Sequence, residues 1–97
     1  MILKNKDGEA FHIKMEGNFD FDKTKSVLEN LPKNIIRSKG VFSSGVSYYI
    51  FNTVGNRTTF DQADNHTNFH KNLFIFIGFS IKNLESEIDK NLKKCLN

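Results

Sequence analysis

One cysteine, one proline, two arginines and no tryptophan occur in the 97 residues of this chain. Cys95 has no second thiol to pair with, so an internal disulfide is excluded. A lone cysteine also agrees with a reducing compartment, and the cytoplasm is the expected address. With Pro32 as the only proline and six glycines, there is no material for a low-complexity linker. No signal peptide, lipidation motif or internal repeat is read. No apolar run approaches the roughly 20 residues of a membrane-spanning helix. Neither G-x-x-x-x-G-K-S/T nor G-x-G-x-x-G occurs, and no glycine is followed by lysine. These residues therefore cannot build a phosphate-cradling loop of their own. No nucleophile motif is visible among the Ser, His and Asp residues. The chain reads as a non-enzyme with no cofactor of its own.

What is abundant is phenylalanine. Ten Phe supply ample core for one domain, since each buries on the order of 150–250 Å². The 97 residues read as a single domain with residues 1–9 as a flexible lead-in. Net charge is +3, with twelve Lys against two Arg. That balance mildly favours an anionic partner, and a solvated Lys-rich surface explains it equally well.

The stretch Leu73-Phe74-Ile75-Phe76-Ile77, closed by Gly78, organises the rest. Neighbouring strand side chains point to opposite faces, so five consecutive apolar residues imply a central strand buried on both sides. Its length and polar flanks favour a strand over a buried helix segment. Before it, Phe11, Ile13 and Met15 alternate with His12, Lys14 and Glu16, the pattern of a half-buried strand. Asp20 or Asp22 can cap a helix whose stripe is Thr24, Val27, Leu28 and Leu31, and Pro32 ends it. Asn34–Phe42 reads as a second strand, with Ile35, Arg37, Lys39 and Val41 on one face. Ile36, Ser38, Gly40 and Phe42 take the other, and Gly40 suggests a bulge or a close backbone approach. Ser43-Ser44-Gly45 turns into a third strand, Val46–Val54, and Gly55-Asn56 into a short edge strand, Arg57–Phe60. Asp61–Asn72 reads as a loop. After the central strand, Ser80 or Asn83 caps a last helix with Leu84, Ile88, Leu92 and Cys95 or Leu96 as its stripe. The expected fold is α+β: an antiparallel-rich sheet of four to five strands with two helices, most simply on one face, in the order β-α-β-β-β-β-α.

Few residues carry chemistry. His66 and His70 are four apart and are the candidate metal ligands, but their loop lacks helical periodicity, and two histidines in a polar loop are commonly just solvated. His12 falls on a wet face, and Cys95 lies on the apolar stripe of the last helix, where packing explains it better than reactivity. Lys39-Gly40-Val41-Phe42 resembles loosely the basic-Gly-aromatic strand of RNA recognition motifs, and Leu73–Gly78 their other strand, but in reversed order.

A different family fits better. Phe19-Asp20-Phe21-Asp22 opens a helix ending Leu28-Glu29-Asn30-Leu31-Pro32, and Asn34-Ile35-Ile36-Arg37-Ser38-Lys39-Gly40-Val41 follows. Phe51-Asn52-Thr53-Val54-Gly55-Asn56-Arg57 and Leu73–Gly78 come after, then Leu84, Ile88, Leu92 and Cys95-Leu96. In this order and spacing, residues 11–96 resemble the C-terminal domain of the CobW family of P-loop GTPases, with His70-Lys71 where members often carry Arg. The resemblance implies a non-enzymatic accessory module of a GTPase in metal or cobalamin cofactor handling, similar to metallochaperones. Its implied partners are a GTPase domain, in cis or in trans, and a metalloprotein client, with no membrane. Arg37, Lys39 and Gly40 are the candidate partner-binding residues; Arg37 pairing with a local acid is the plainer alternative. A free-standing domain binding a ligand or nucleic acid on an open sheet face is the alternative function, with nucleic acid the weaker case.

Overall fold

Alternation writes the first strand. In β1 (Glu9–Met15), Phe11 and Ile13 are buried while His12 and Lys14 are exposed. The computed structural model describes residues 8–63 and 71–97. Asp20 then caps α1 (Phe21–Glu29), its carboxylate accepting from the Lys23 N–H at 2.9 Å. β2 (Ile35–Ser44), β3 (Ser47–Val54) and β4 (Arg57–Ala63) form a meander, followed by β5 (Asn72–Gly78). A 3₁₀ turn at Lys82–Leu84 leads into α2 (Glu85–Lys93). The order is the expected β-α-β-β-β-β-α.

All pairings are antiparallel, and the strand order across the sheet is β1-β5-β2-β3-β4. The expectation of a central strand buried on both sides needs correction here. β5 is an interior strand, but β2 is the middle one. One face of β5 is fully buried through Phe74 and Phe76, while Leu73, Ile75 and Ile77 are only half-buried. The reason is that both helices pack on the same side: α1 over the β4 half, α2 over the β1 half. No described element covers the other side.

The core between sheet and helices is aromatic. Phe42, fully buried, meets the rings of Phe19, Phe21, Tyr49, Phe51, Phe60 and Phe74 at centroid distances of 5.8–6.5 Å. Such edge and offset contacts add ~0.5–1.5 kcal/mol per pair beyond the area they bury. Leu28 of α1, and Ile88, Leu92 and Cys95 at α2, close the layer. Burial raises the Cys95 thiol above its ordinary pKa, only partly offset by a hydrogen bond with Thr24. That favours the packing role.

Tertiary contacts move several sequence boundaries. The irregularity in β2 falls between Ile35 and Arg37, not at Gly40, so Ile35 turns into the core and Ile36 turns out. Gly40 is the close approach: a Cβ there would overlap the Leu73 carbonyl and stand 2.8 Å from the Phe51 ring. The tight turns are Gly45-Val46 and Gly55-Asn56, each opening on glycine at φ +64°. Asp61–Ala63 extend β4 rather than begin a loop, and Asn72 belongs to β5. Glu9, placed by sequence in the lead-in, is the first residue of β1 and pairs with Gly78.

Two polar side chains do work that sequence spacing hid. Asn72, 3% exposed, accepts from the Ser43 N–H at 2.7 Å and donates to the Met15 and Gly17 carbonyls at 2.9 and 3.0 Å. It thereby pins the end of β1 to the end of β2. Neither Ser80 nor Asn83 caps the last helix. Glu9, on the strand paired with β5, instead accepts from the Ile81 and Lys82 N–H groups at 2.8 and 3.1 Å, at the entrance to the 3₁₀ turn that precedes α2. A carboxylate there satisfies two backbone donors at the start of that turn, which otherwise lack a helical partner. No described helix is long and apolar enough to cross a membrane.

Candidate functional site

Strand alternation gives the sheet one large surface that no described element covers. Facing away from the helices are Ala10, His12 and Lys14 of β1, then Leu73, Ile75 and Ile77 of β5. Arg37, Lys39 and Val41 of β2, Ile50, Asn52 and Val54 of β3, and Arg57, Thr59 and Asp61 of β4 complete it. Register fixes the rows, because directly opposed residues share a face. Lys14, Leu73, Val41, Ile50 and Asp61 form one row; His12, Ile75, Lys39, Asn52 and Thr59 the next; Ala10, Ile77, Arg37, Val54 and Arg57 the third.

The apolar column of β5 thus stands between two basic ones. His12 and Lys14 flank it on the β1 side, Arg37 and Lys39 on the β2 side. Ile50 and Val54 continue the apolar surface at 50% and 59% exposure, values that leave them available for contact. Asp61 is the lone acid in these rows. Ile75 separates two shallow hollows. One is lined by Ala10, His12 and Leu73, the other by Lys39, Ile50 and Asp61.

Of the sequence-predicted site residues, the structure brings Arg37 and Lys39 together on this face, both exposed. Gly40 faces the opposite way, into the core, so it is separated from them. The ion pairs among the described residues are Lys25–Glu29 and Lys93–Asp89. Arg37 has none among them. His66 and His70 lie outside the described residues. Among those described, no three of His, Cys, Asp and Glu gather as a metal site. The RNA-motif aromatics Phe42, Phe74 and Phe76 are core residues, so they offer no stacking platform. What sequence reasoning missed was Lys14 and His12 as neighbours of Arg37 and Lys39, because only the β1–β5–β2 pairing joins them.

On the covered side, a groove runs between the end of α1 and the β3–β4 turn, past Leu28, Leu31, Thr53 and Thr58. The two threonine hydroxyls bond each other at 2.8 Å. Nearby, the buried Ser38 hydroxyl has no hydrogen-bond partner among the described residues.

Residues 9–96 match the family model of the cobalamin synthesis protein CobW C-terminal domain. The chain belongs to that family. Two solved structures share the fold. One is Zn(II)-bound YjiA GTPase from E. coli, at 20% identity and a TM-score of 0.78, covering 97% of this chain and 31% of that one. The other is a Zn(II)-bound triple mutant of YjiA GTPase, at 18% identity and 0.79, covering 94% and 30%. This CobW C-terminal domain therefore spans about a third of the length of the solved relatives. No curated protein matches it.

Proposed function

We propose that this CobW C-terminal domain is a non-catalytic accessory module of a CobW-like GTPase that handles a metal or a cobalamin cofactor. It contacts the GTPase domain, in cis or in trans, or a client metalloprotein. Arg37 and Lys39 are the residues through which it does so. The observation that carries this reading is a sheet face with no described cover, on which these two cations stand exposed and without an ion-pair partner among the described residues. Family membership and GTPase relatives three times as long support the same reading. An acidic patch on the partner would engage both cations at once. Each exposed pair contributes ~0.2–1 kcal/mol, so their joint loss weakens binding roughly 2- to 30-fold.

The test is the Arg37→Ala, Lys39→Ala double variant, titrated calorimetrically against a P-loop GTPase domain of the same system. Both side chains are exposed, so the fold survives and circular dichroism checks it. Weakened binding that also fades with added salt is the expected result. Unchanged affinity removes the two residues from the interface.

A further inference from the structure

We infer that the sheet face left uncovered by the described elements is built to take an amphipathic helix with acidic flanks, lying along β5 as a third layer. The inference rests on reading this domain as an interaction module; it names the kind of partner surface.

The first observation is the arrangement of side chains. Leu73, Ile75 and Ile77 form an apolar ridge with His12 and Lys14 on one side and Arg37 and Lys39 on the other. Strands stand ~4.8 Å apart, so the two basic columns are about 10 Å apart, which matches the ~10–12 Å diameter of a helix with its side chains. Along the ridge, alternate strand residues repeat every ~6.6 Å and the i, i+4 residues of a helix every ~6 Å, so their knobs fall into step. A helix seated there presents its apolar stripe to β5 and its flanks to the four basic residues.

The second observation is the opposite side of the same sheet, which already carries α1 and α2 across the same five strands. A face of this span is wide enough for a helical layer. The hollows on either side of Ile75 give it relief for side chains to enter.

Charge decides between occupants. A second copy docking face to face would set Lys14, Arg37, Lys39 and Arg57 near their equivalents, with Asp61 the one acid in these rows to offset them. Like-charge juxtaposition of that kind disfavours a homodimer. An acidic flank is complementary, and the Leu73–Ile77 ridge demands that the partner's facing stripe be apolar.

The test needs no GTPase. A fluorescent 20-residue peptide with Leu at i, i+3, i+4 and i+7 spacing and Glu on both flanks is compared with the same peptide carrying Lys flanks. Anisotropy titrations use the full chain, with amide chemical shifts mapping the site. The Glu-flanked peptide should bind roughly tenfold tighter at low salt. Its shifts should centre on Leu73, Ile75, Ile77 and Lys39. The Arg37→Glu, Lys39→Glu variant, altered only at exposed positions, should erase most of the preference, since Lys14 on the β1 side is left in place. Equal binding of both peptides, absence of binding, shifts confined to α1 and α2, or a sedimenting dimer that buries this face would each overturn the inference. An unaltered chain that binds the Glu-flanked peptide but no GTPase domain would instead count against the proposed function alone.

Discussion

Replacing Asn72 by alanine should cost this domain about a third of its stability. The side chain is 3% exposed, and its amide joins three backbone groups: the Ser43 N–H and the Met15 and Gly17 carbonyls. The Ser43 hydroxyl, 3.2 Å from Oδ1 and 3.0 Å from the Gly17 carbonyl, can donate to only one of them. An orphaned buried polar group costs ~1–3 kcal/mol. Gly17 is exposed and Met15 and Ser43 half-buried, so water recovers part of this. About 1 kcal/mol for each group gives ~3 kcal/mol in total, against roughly 5–15 kcal/mol for a domain of this size. At ~4–8 °C per kcal/mol, the melting midpoint falls by about 12–24 °C. Urea and thermal unfolding followed by circular dichroism measure both. Asn72→Asp serves as the chemical control. It keeps the acceptor for Ser43 but sets a carboxylate against two carbonyls, so at neutral pH it should be at least as damaging. Acid should restore part of the loss by protonating that carboxylate. Asn52→Ala, on the open face, should change stability by less than ~0.5 kcal/mol. An Asn72→Ala loss below about 1 kcal/mol, or a benign Asn72→Asp, would refute the assignment of this amide as the clamp between β1 and β2.

Three further outcomes are expected. Gly40→Ala forces a Cβ onto the Leu73 carbonyl and the Phe51 ring; it should destabilise by ~1–3 kcal/mol or more, and a neutral urea midpoint would show that β2 and β5 can part cheaply. Glu9→Ala removes the acceptor for the Ile81 and Lys82 N–H groups and should cost ~1–2 kcal/mol while speeding hydrogen exchange at those two amides; Glu9→Gln, which keeps one acceptor oxygen, should cost less. Cys95 has its pKa raised by burial in the folded chain, so the unfolded thiol ionises first as pH rises. Stability from this group is fully present below the ordinary thiol pKa and declines as pH climbs toward the folded value. Urea midpoints between about pH 7 and 10 should show that decline, and Cys95→Ala should flatten it.

How far the chain could be read in advance depends on the range of the interaction involved. Period-two alternation placed β1, and the Leu73–Ile77 run placed β5, because a strand's two faces are written in adjacent residues. Asp20 was legible as a cap because its target, the Lys23 N–H, lies three residues on. Glu9 was not, since the amides it caps are 72 and 73 residues away. Asn72 looked like loop for the same reason: a polar residue beside an apolar run reads as exposed until its backbone partners, 29 to 57 residues distant, are known. Arg37 and Lys39 were visible as a pair on one face of β2. Gly40 was grouped with them as a binding residue, though its alternation turns it into the core, where the Leu73 carbonyl leaves no room for a side chain.

The sequence by itself determined the number and kind of elements, their order, and the family, since each follows from local periodicity and from motifs in fixed succession. Only the tertiary structure decided that both helices share one side of the sheet, and therefore that the doubly apolar strand has a dry face and a half-open one. It also decided which cations meet. Lys14 and Arg37 are far apart along the chain, and only the pairing of β5 between β1 and β2 brings them to the two sides of one apolar ridge. Local sequence cannot encode that, because strand neighbours are chosen by the burial of the whole sheet.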